Sequence, residues 1–297
     1  MIGKIFSALK AEGFVGLMGT AYRRIRPYRP GYFETYREAF ANKEGLEIGG
    51  PSDMFKRRGS LPIYSVASRI DNCNFGHMTT WEGVVRIGAT FRFDEARAAG
   101  QQYIAEATHL EGLESSSYDF VLSSHTIEHT ANPLQALAEW IRVLKTGGLL
   151  VLALPHRDGT FDYRRPVTML RHLIEDFERR TAEDDLTHLD EILRLHDFAR
   201  DPEAGTPAQF AERSRKNIEN RCLHQHVFDT RLAVKMVNHM GLQILAVDVF
   251  HPHDILLLLL KPEPGTPLQN ERFMAADGLP AWHSPFPSDS PCLTKRL

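Results

Sequence analysis

Strands and helices alternate through the middle of this chain, which predicts an α/β fold on a doubly wound, mainly parallel sheet. Three observations carry that reading. Leu149–Leu154 is a continuous apolar run, as expected of a parallel strand covered on both faces. Tyr118–Ser123, a helix from about Pro133 to Leu144 and the turn Lys145-Thr146-Gly147-Gly148 precede it, giving a strand–helix–turn–strand unit. Further upstream, Gly45–Ser52 (GLEIGGPS) reads as a strand running into a glycine turn.

The other elements follow in order. Ile63–Ile70 reads as a second strand, ending at Asp71, and Tyr103–Ala107 as a third. Residues 156–230 break the rhythm: they are crowded with Arg, Asp, Glu and His, and predict a mainly helical insertion with a loop near Asp201–Pro207. Such an insertion, lying between strand five and the last two strands, would form a cap. Leu232–Met240 then reads as a helix. Leu242–Phe250 and Asp254–Lys261 read as two closing strands, separated by His251-Pro252-His253. Ile2, Ile5, Phe6, Leu9, Phe14, Leu17 and Met18 predict an amphipathic helix over 2–22, stopped by the two prolines of Arg26–Gly31. Pro262–Leu297, rich in Pro, Ser and Gly, predicts a tail that is poorly structured or draped over the surface. The expected division is 1–40 as helix and linker, 41–261 as the main domain with its 156–230 insertion, and 262–297 as tail.

Composition narrows the function. A net charge of -3 over 297 residues argues against a nucleic-acid binder. Residues 1–30, however, hold Lys4, Lys10, Arg23, Arg24, Arg26 and Arg29 against one acid, Glu12. The amphipathic helix is therefore expected to pack on the domain or on a second copy in a homodimer, with weak membrane-surface contact as the alternative. Cys73, Cys222 and Cys292 are distant and odd in number, so no disulfide framework follows. Lys4, Lys10 and Glu12 interrupt the apolar start, which reads as no signal peptide, and Ile255–Leu260 is too short to span a bilayer. The expected location is cytoplasmic.

The chemistry-bearing residues cluster at strand ends. Gly49 and Gly50 permit a tight turn and close backbone approach to a ligand, although the run is not a full G-x-G-x-x-G. Asp71 ends the second expected strand at about the distance where such folds hold a ribose diol, and Glu106 ends the third. Tyr118–His129 reads YDFVLSSHTIEH, and Asn132–Leu154 reads NPLQALAEWIRVLKTGGLLVLAL.

These runs resemble the class I S-adenosylmethionine-dependent methyltransferases, in particular the methyltransferase type 11-like subgroup. That subgroup has a strand, a Glu-His pair (here Glu128-His129), and then an Arg-Val-Leu-Lys-x-Gly-Gly helix and turn (here Arg142–Gly148). The resemblance covers about residues 44–156. It implies a Rossmann-like fold with S-adenosyl-L-methionine as cofactor. By the resemblance, Glu47, Gly49 and Gly50 would meet the methionine end, Asp71 the ribose, Glu106 with Ala107 the adenine, and Ser124 with His125 the sulfonium region. Two positions depart from the family pattern: Ser52 stands where another glycine is usual, and Glu106 where Asp is common. The Glu-His pair is expected to orient its loop rather than react.

Methyl transfer to oxygen needs a base or a metal to help remove the acceptor's proton. His125 and His156, after strands four and five, are the candidate bases. Within the insertion, Arg165, His188, Arg221, His224 and His226 are the candidate acceptor contacts. No metal ligand set is assigned, although the density of His and carboxylates leaves a divalent metal open. The reaction expected is methylation, on oxygen, of a small-molecule or glycan-like polar acceptor. Two other classes compete: a nicotinamide-dependent oxidoreductase, and a non-catalytic scaffold that retains the fold.

Overall fold

The computed structural model describes residues 28–274 and 279–290; the expected helix over 2–22 and Cys292 fall outside them. The strands are β1 (Glu44–Ile48), β2 (Arg69–Asn74), β3 (Met78–Thr79), β4 (Gly83–Val84), β5 (Gly88–Phe91), β6 (Gly100–Ile104), β7 (Tyr118–Ser124), β8 (Leu144–Pro155), β9 (Gln243–Phe250) and β10 (Asp254–Leu260). Eight of them form one sheet in the order β5-β6-β2-β1-β7-β8-β10-β9, and β3 with β4 makes a separate hairpin. From β6 through β8 all neighbours are parallel. β5 runs against β6 and β10 against β8. β9 is antiparallel to β10, and so points with the parallel set. The order reverses at β1, where the chain crosses from β6 to β7, and the carboxyl ends of β1 and β7 open a crevice there.

The sheet is buried on both sides. In β7 and β8, Val121, Leu150, Leu152 and Leu154 enter one core, while Phe120, Leu122, Leu149, Val151 and Ala153 enter the other. This double burial is why the strands read as unbroken apolar runs. Helices α1 (Phe33–Phe40) and α2 (Pro133–Val143) lie on opposite faces, with Phe40 in one core and Leu134, Leu137 and Trp140 in the other. Pro133 sits in the first turn of α2, and the Asn132 side chain accepts from the Gln135 N–H, so the helix start is well capped.

After β8 come α3 (Leu170–Arg179), α4 (Leu189–Leu195), α5 (Pro207–Arg215) and α6 (Asn217–Asn220). They carry their own small core of Ile192, Ala204, Phe210 and Leu223. Helix α5 begins with a reciprocal cap between Thr206 and Gln209. Helix α7 (Thr230–His239) returns the chain to the sheet, with Asp229 accepting from the Leu232 N–H at 2.7 Å. Among the described residues, no helix is long and apolar enough to cross a membrane.

The fold corrects the sequence reading at several places. Ile63–Ser65 is a single 3₁₀ turn whose Ile63 and Tyr64 plug a core, and β2 begins only at Arg69. Asp71 is therefore in mid-strand, not at its end. Residues 145–148 belong to β8, which absorbs them as an irregular start: Leu144 faces Tyr118, and the next pair is Leu149 with Phe120. Strands β3 to β5 are too short for alternation to reveal them. In its described residues, 262–274 and 279–290, the tail packs on the domain. It forms α8 (Glu271–Met274), and it buries Phe273, Trp282 and Phe286 in the core that holds α2.

Candidate functional site

A cleft of about 540 Å³ opens at the carboxyl ends of β1, β2, β6, β7 and β8. One wall is made of strand ends: Gly49, Asn74, Glu106, Ala107 and Ser124. The 156–230 segment lines the cleft too, with Phe161, Glu183, Arg200, Arg221 and His224.

The glycine turn is shaped by close neighbours. Gly49 has φ of +80°, and a Cβ there would meet Thr126 Oγ1 at 2.6 Å. Only glycine takes this conformation without strain, and its bare backbone faces the cleft. Beneath the turn lies Glu47, fully buried, which accepts from Tyr64 Oη at 2.5 Å and from the Ser52 N–H and Oγ at 3.0 and 2.7 Å. Burial pushes the Glu47 carboxyl up to about 7, against the pull of those donors. Gly50 is tied to β2, with its N–H donating to Asn72 Oδ1 and its carbonyl accepting from Asn72 Nδ2, both at 3.0 Å. Glu47 and Gly50 therefore build the turn from behind and do not line the cleft, contrary to the sequence expectation.

Asp71 is also displaced. It is wholly buried, accepting from Tyr118 Oη at 3.0 Å, Arg69 Nη2 at 3.0 Å and the Gln101 N–H at 2.8 Å. Its carboxylate is consumed by structure. Asn74, at the true end of β2, faces the cleft instead. Glu106 does line the cleft, and accepts from Arg221 Nη2 at 2.5 Å.

The candidate bases fare differently. His125 lies in the cleft, with Nε2 at 3.0 Å from Asp254 Oδ1 and Nδ1 at 3.7 Å from Glu128 Oε1. Burial opposes its charge, but the two carboxylates prevail and push it up to about 10. That direction favours the charged ring, which speaks against His125 as the base expected from the sequence. Glu128 is drawn down to about 2, because His125 and its other histidine neighbours outweigh burial. His156 is fully buried and outside the cleft; its ring stacks on Phe286 at 4.2 Å, with Nε2 3.2 Å from Asp289. The tail, not an acceptor, occupies its face.

Among the insertion candidates, His224 and Arg221 line the cleft. His224 Nδ1 donates to Asp162 Oδ2 at 2.6 Å. Arg165 stands behind this pair, wholly buried, donating to Asp162 Oδ1 at 3.0 Å and to the His224 carbonyl at 2.8 Å. It supports the wall and does not face the cleft. His188 and His226 are likewise elsewhere, grouped with His172. Sequence reasoning passed over Asn74, Asp162, Trp81 and His253, none of which carries a motif of its own. His253 shares the cleft, and burial with the nearby His125 charge drives it down to about 4. His129 falls to about 4 through burial and its His224 neighbour. Ligand-type atoms of Glu128, His129 and His224 lie within 4.8 Å of one another, so this corner could also hold a cation.

Comparison with known proteins adds to this geometry. Residues 88–152, from β5 into β8, match the family model of the methyltransferase domain. Over 56 residues the chain is 45% identical to an uncharacterized 37.1 kDa protein in transposon TN4556 of Streptomyces fradiae, a match that covers 18% of this chain and 16% of that protein. Among solved structures it is similar to an S-adenosylmethionine-dependent methyltransferase from Mesorhizobium loti, at 12% identity and a TM-score of 0.45, covering 78% of this chain and 98% of that one. It is also similar to one from Methanosarcina mazei, at 15% identity and a TM-score of 0.44, covering 79% and 99%. A third is an arsenic (III) S-adenosylmethionine methyltransferase from Chlamydomonas reinhardtii, at 14% identity and a TM-score of 0.42, covering 77% and 67%. The match to the methyltransferase-domain model falls on strands that bound the cleft, next to a glycine turn stripped of side chain and in a sheet that reverses at β1.

Proposed function

We propose that this protein moves a methyl group from S-adenosylmethionine to a hydroxyl of a small, hydroxyl-rich acceptor of the sugar or glycan kind. The observation that supports this best is the His224–Asp162 pair, held at 2.6 Å, whose His224 lines the same cleft as the glycine turn. The bound cofactor supplies an electrophilic methyl on a sulfonium sulfur. The chain's own task is to align the hydroxyl and accept its proton. With Nδ1 committed to Asp162, His224 has Nε2 free for that proton, and Asp162 stabilises the resulting imidazolium. Arg165 fixes Asp162 in turn. The other cleft histidines are poorly suited: His125 is shifted towards its charged form, and His129 and His253 are too weakly basic.

In this reading Gly49 bares its backbone to the methionine end, and Asn74 takes the ribose position once given to Asp71. Glu106 and Ala107 flank the adenine, and Ser124 sits near the sulfonium. Trp81, 55% exposed on the cleft lip, offers an apolar ring face to the C–H face of a sugar. Arg200 and Glu183 supply polar groups for hydroxyls. The net charge of -3 favours a small molecule over a nucleic acid.

The test is to incubate the enzyme with S-adenosylmethionine and a panel of free and nucleotide-linked sugars, following S-adenosylhomocysteine release and product mass. His224→Asn should lower kcat by roughly 10²–10⁴-fold, the range for a general base, with S-adenosylhomocysteine affinity unchanged. Wild-type turnover in that variant, or methylation confined to nitrogen acceptors, would sink the proposal.

A further inference from the structure

Three histidines from three separate stretches of the 156–230 segment face one another behind the cleft. His172 lies in α3, His188 directly before α4, and His226 on the approach to α7. One ring nitrogen of each falls within 4.8 Å of the other two. The ring centroids are 4.9, 5.7 and 5.4 Å apart. His172 Nε2 and His188 Nε2 are only 3.0 Å from each other.

The hydrogen bonding around the trio is incomplete. His226 is 1% exposed; its Nε2 donates to the Ala131 carbonyl at 3.2 Å, so Nδ1 carries a lone pair, and that atom is buried with no partner. Asp176 is 7% exposed, and its Oδ2 is buried without a hydrogen bond although it points at the trio, 3.3 Å from His172 Nε2 and 3.8 Å from His226 Nε2. Buried acceptors left without donors are costly, and native proteins rarely leave two together. Three converging imidazoles with a buried carboxylate at hand make a ligand set for a borderline-soft divalent ion.

We propose that His172, His188 and His226 bind a divalent transition metal of the zinc class, with Asp176 beside them to neutralise its charge. Zinc–nitrogen bonds of about 2.0–2.1 Å at tetrahedral angles set nitrogens about 3.3 Å apart, close to the 3.0 Å separation of His172 and His188. The Ala131 carbonyl orients His226 from behind, as outer partners of metal-bound imidazoles do. None of the three histidines lines the cleft. The ion is therefore structural: it staples α3, the start of α4 and the run 224–226 together, and so steadies His224 two residues away. This inference needs no methyl transfer to be tested, and stands or falls apart from the proposed reaction.

The test is elemental analysis of the purified full chain, then chelator stripping and reloading with zinc or cobalt(II) alone. We expect close to one metal per chain, tetrahedral cobalt absorption after reloading, and a lower Tm once stripped. His188→Ala and His172→Asn should lose the metal, while His224→Ala should keep it. Should wild type take up no stoichiometric zinc after stripping, the site does not exist, whatever the variants do. Should His224→Ala lose the metal while His188→Ala keeps it, the ion belongs to Glu128, His129 and His224 in the cleft, and the proposal is wrong.

Discussion

Arg221 and Glu106 lie 115 residues apart in sequence, yet their side chains meet at 2.5 Å, joining the 156–230 segment to the end of β6. Three further contacts reach from Arg221 Nη1 to the carbonyls of Ile218, Asn217 and Glu183, so one guanidinium holds its own helix end and the Glu183 loop as well as the end of β6. Arg221→Ala should cost about 1–3 kcal/mol of stability, the range for losing hydrogen bonds from a charged group. It should also make residues 156–230 more susceptible to protease. Arg221→Lys should not restore either property, because a single ammonium cannot span these partners. Urea unfolding and limited proteolysis report the two effects; identical curves for wild type and Arg221→Ala would contradict the latch.

Gly49→Val should abolish S-adenosylhomocysteine binding while leaving a folded protein. The left-handed φ penalises any Cβ, and the Thr126 Oγ1 contact at 2.6 Å adds a clash. Calorimetric titration checks this, with circular dichroism as the control for folding. Unchanged affinity in the folded variant removes Gly49 from the cofactor turn.

Asp71 and Asn74 should separate stability from binding. Asp71→Ala strands the Gln101 N–H and the Tyr118 hydroxyl, and should cost about 1–3 kcal/mol while cofactor affinity holds. Asn74→Ala should weaken S-adenosylhomocysteine binding with a smaller effect on folding. Chemical denaturation paired with calorimetry on both variants gives the answer; the opposite assignment would return the ribose to Asp71.

The His125 cluster should give stability an alkaline limb. An unfolded imidazole titrates near 6.5, and in the fold the Asp254 and Glu128 carboxylates, overcoming burial, push His125 up to about 10. A raised pKa favours the folded state fully below about 6.5, and that contribution fades as pH climbs towards 10. Glu128, held down to about 2, supplies the acid limb, stabilising above its unfolded value and losing this as pH falls. Melting curves across pH should therefore decline above neutrality, and His125→Asn should flatten that decline. A variant with the same alkaline slope would show that some other group is responsible.

The sheet was readable where burial writes itself into composition. β7, α2, β8 and the β9–β10 hairpin sit where the apolar runs and the caps put them, to within a few residues. The misreadings share a cause. Ile63 and Tyr64 are as apolar as a strand but plug the core as a turn, and that shifted the end of β2 from Asn74 to Asp71. His156 follows β8 as expected, but its neighbour is Phe286 from the tail, a contact 130 residues away that no local pattern announces. His188, His224 and His226 look alike in sequence. Which of them faces the cleft depends on how α3 to α6 fold over it, and that is a tertiary choice.

The strand order carries a consequence for how the protein is assembled. β9 leaves the ribosome before β10, yet it is hydrogen-bonded in the sheet to β10 and lies outside it. β9 has no template until its successor exists, so the two are expected to pair first as a hairpin and then dock on β8 as one unit. Until they do, the β8 edge, with Leu150, Leu152 and Leu154, stays open to any passing strand. The interval between synthesis of β8 and of β10, which contains the whole 156–230 segment, is when aggregation threatens most, and when a chaperone would matter.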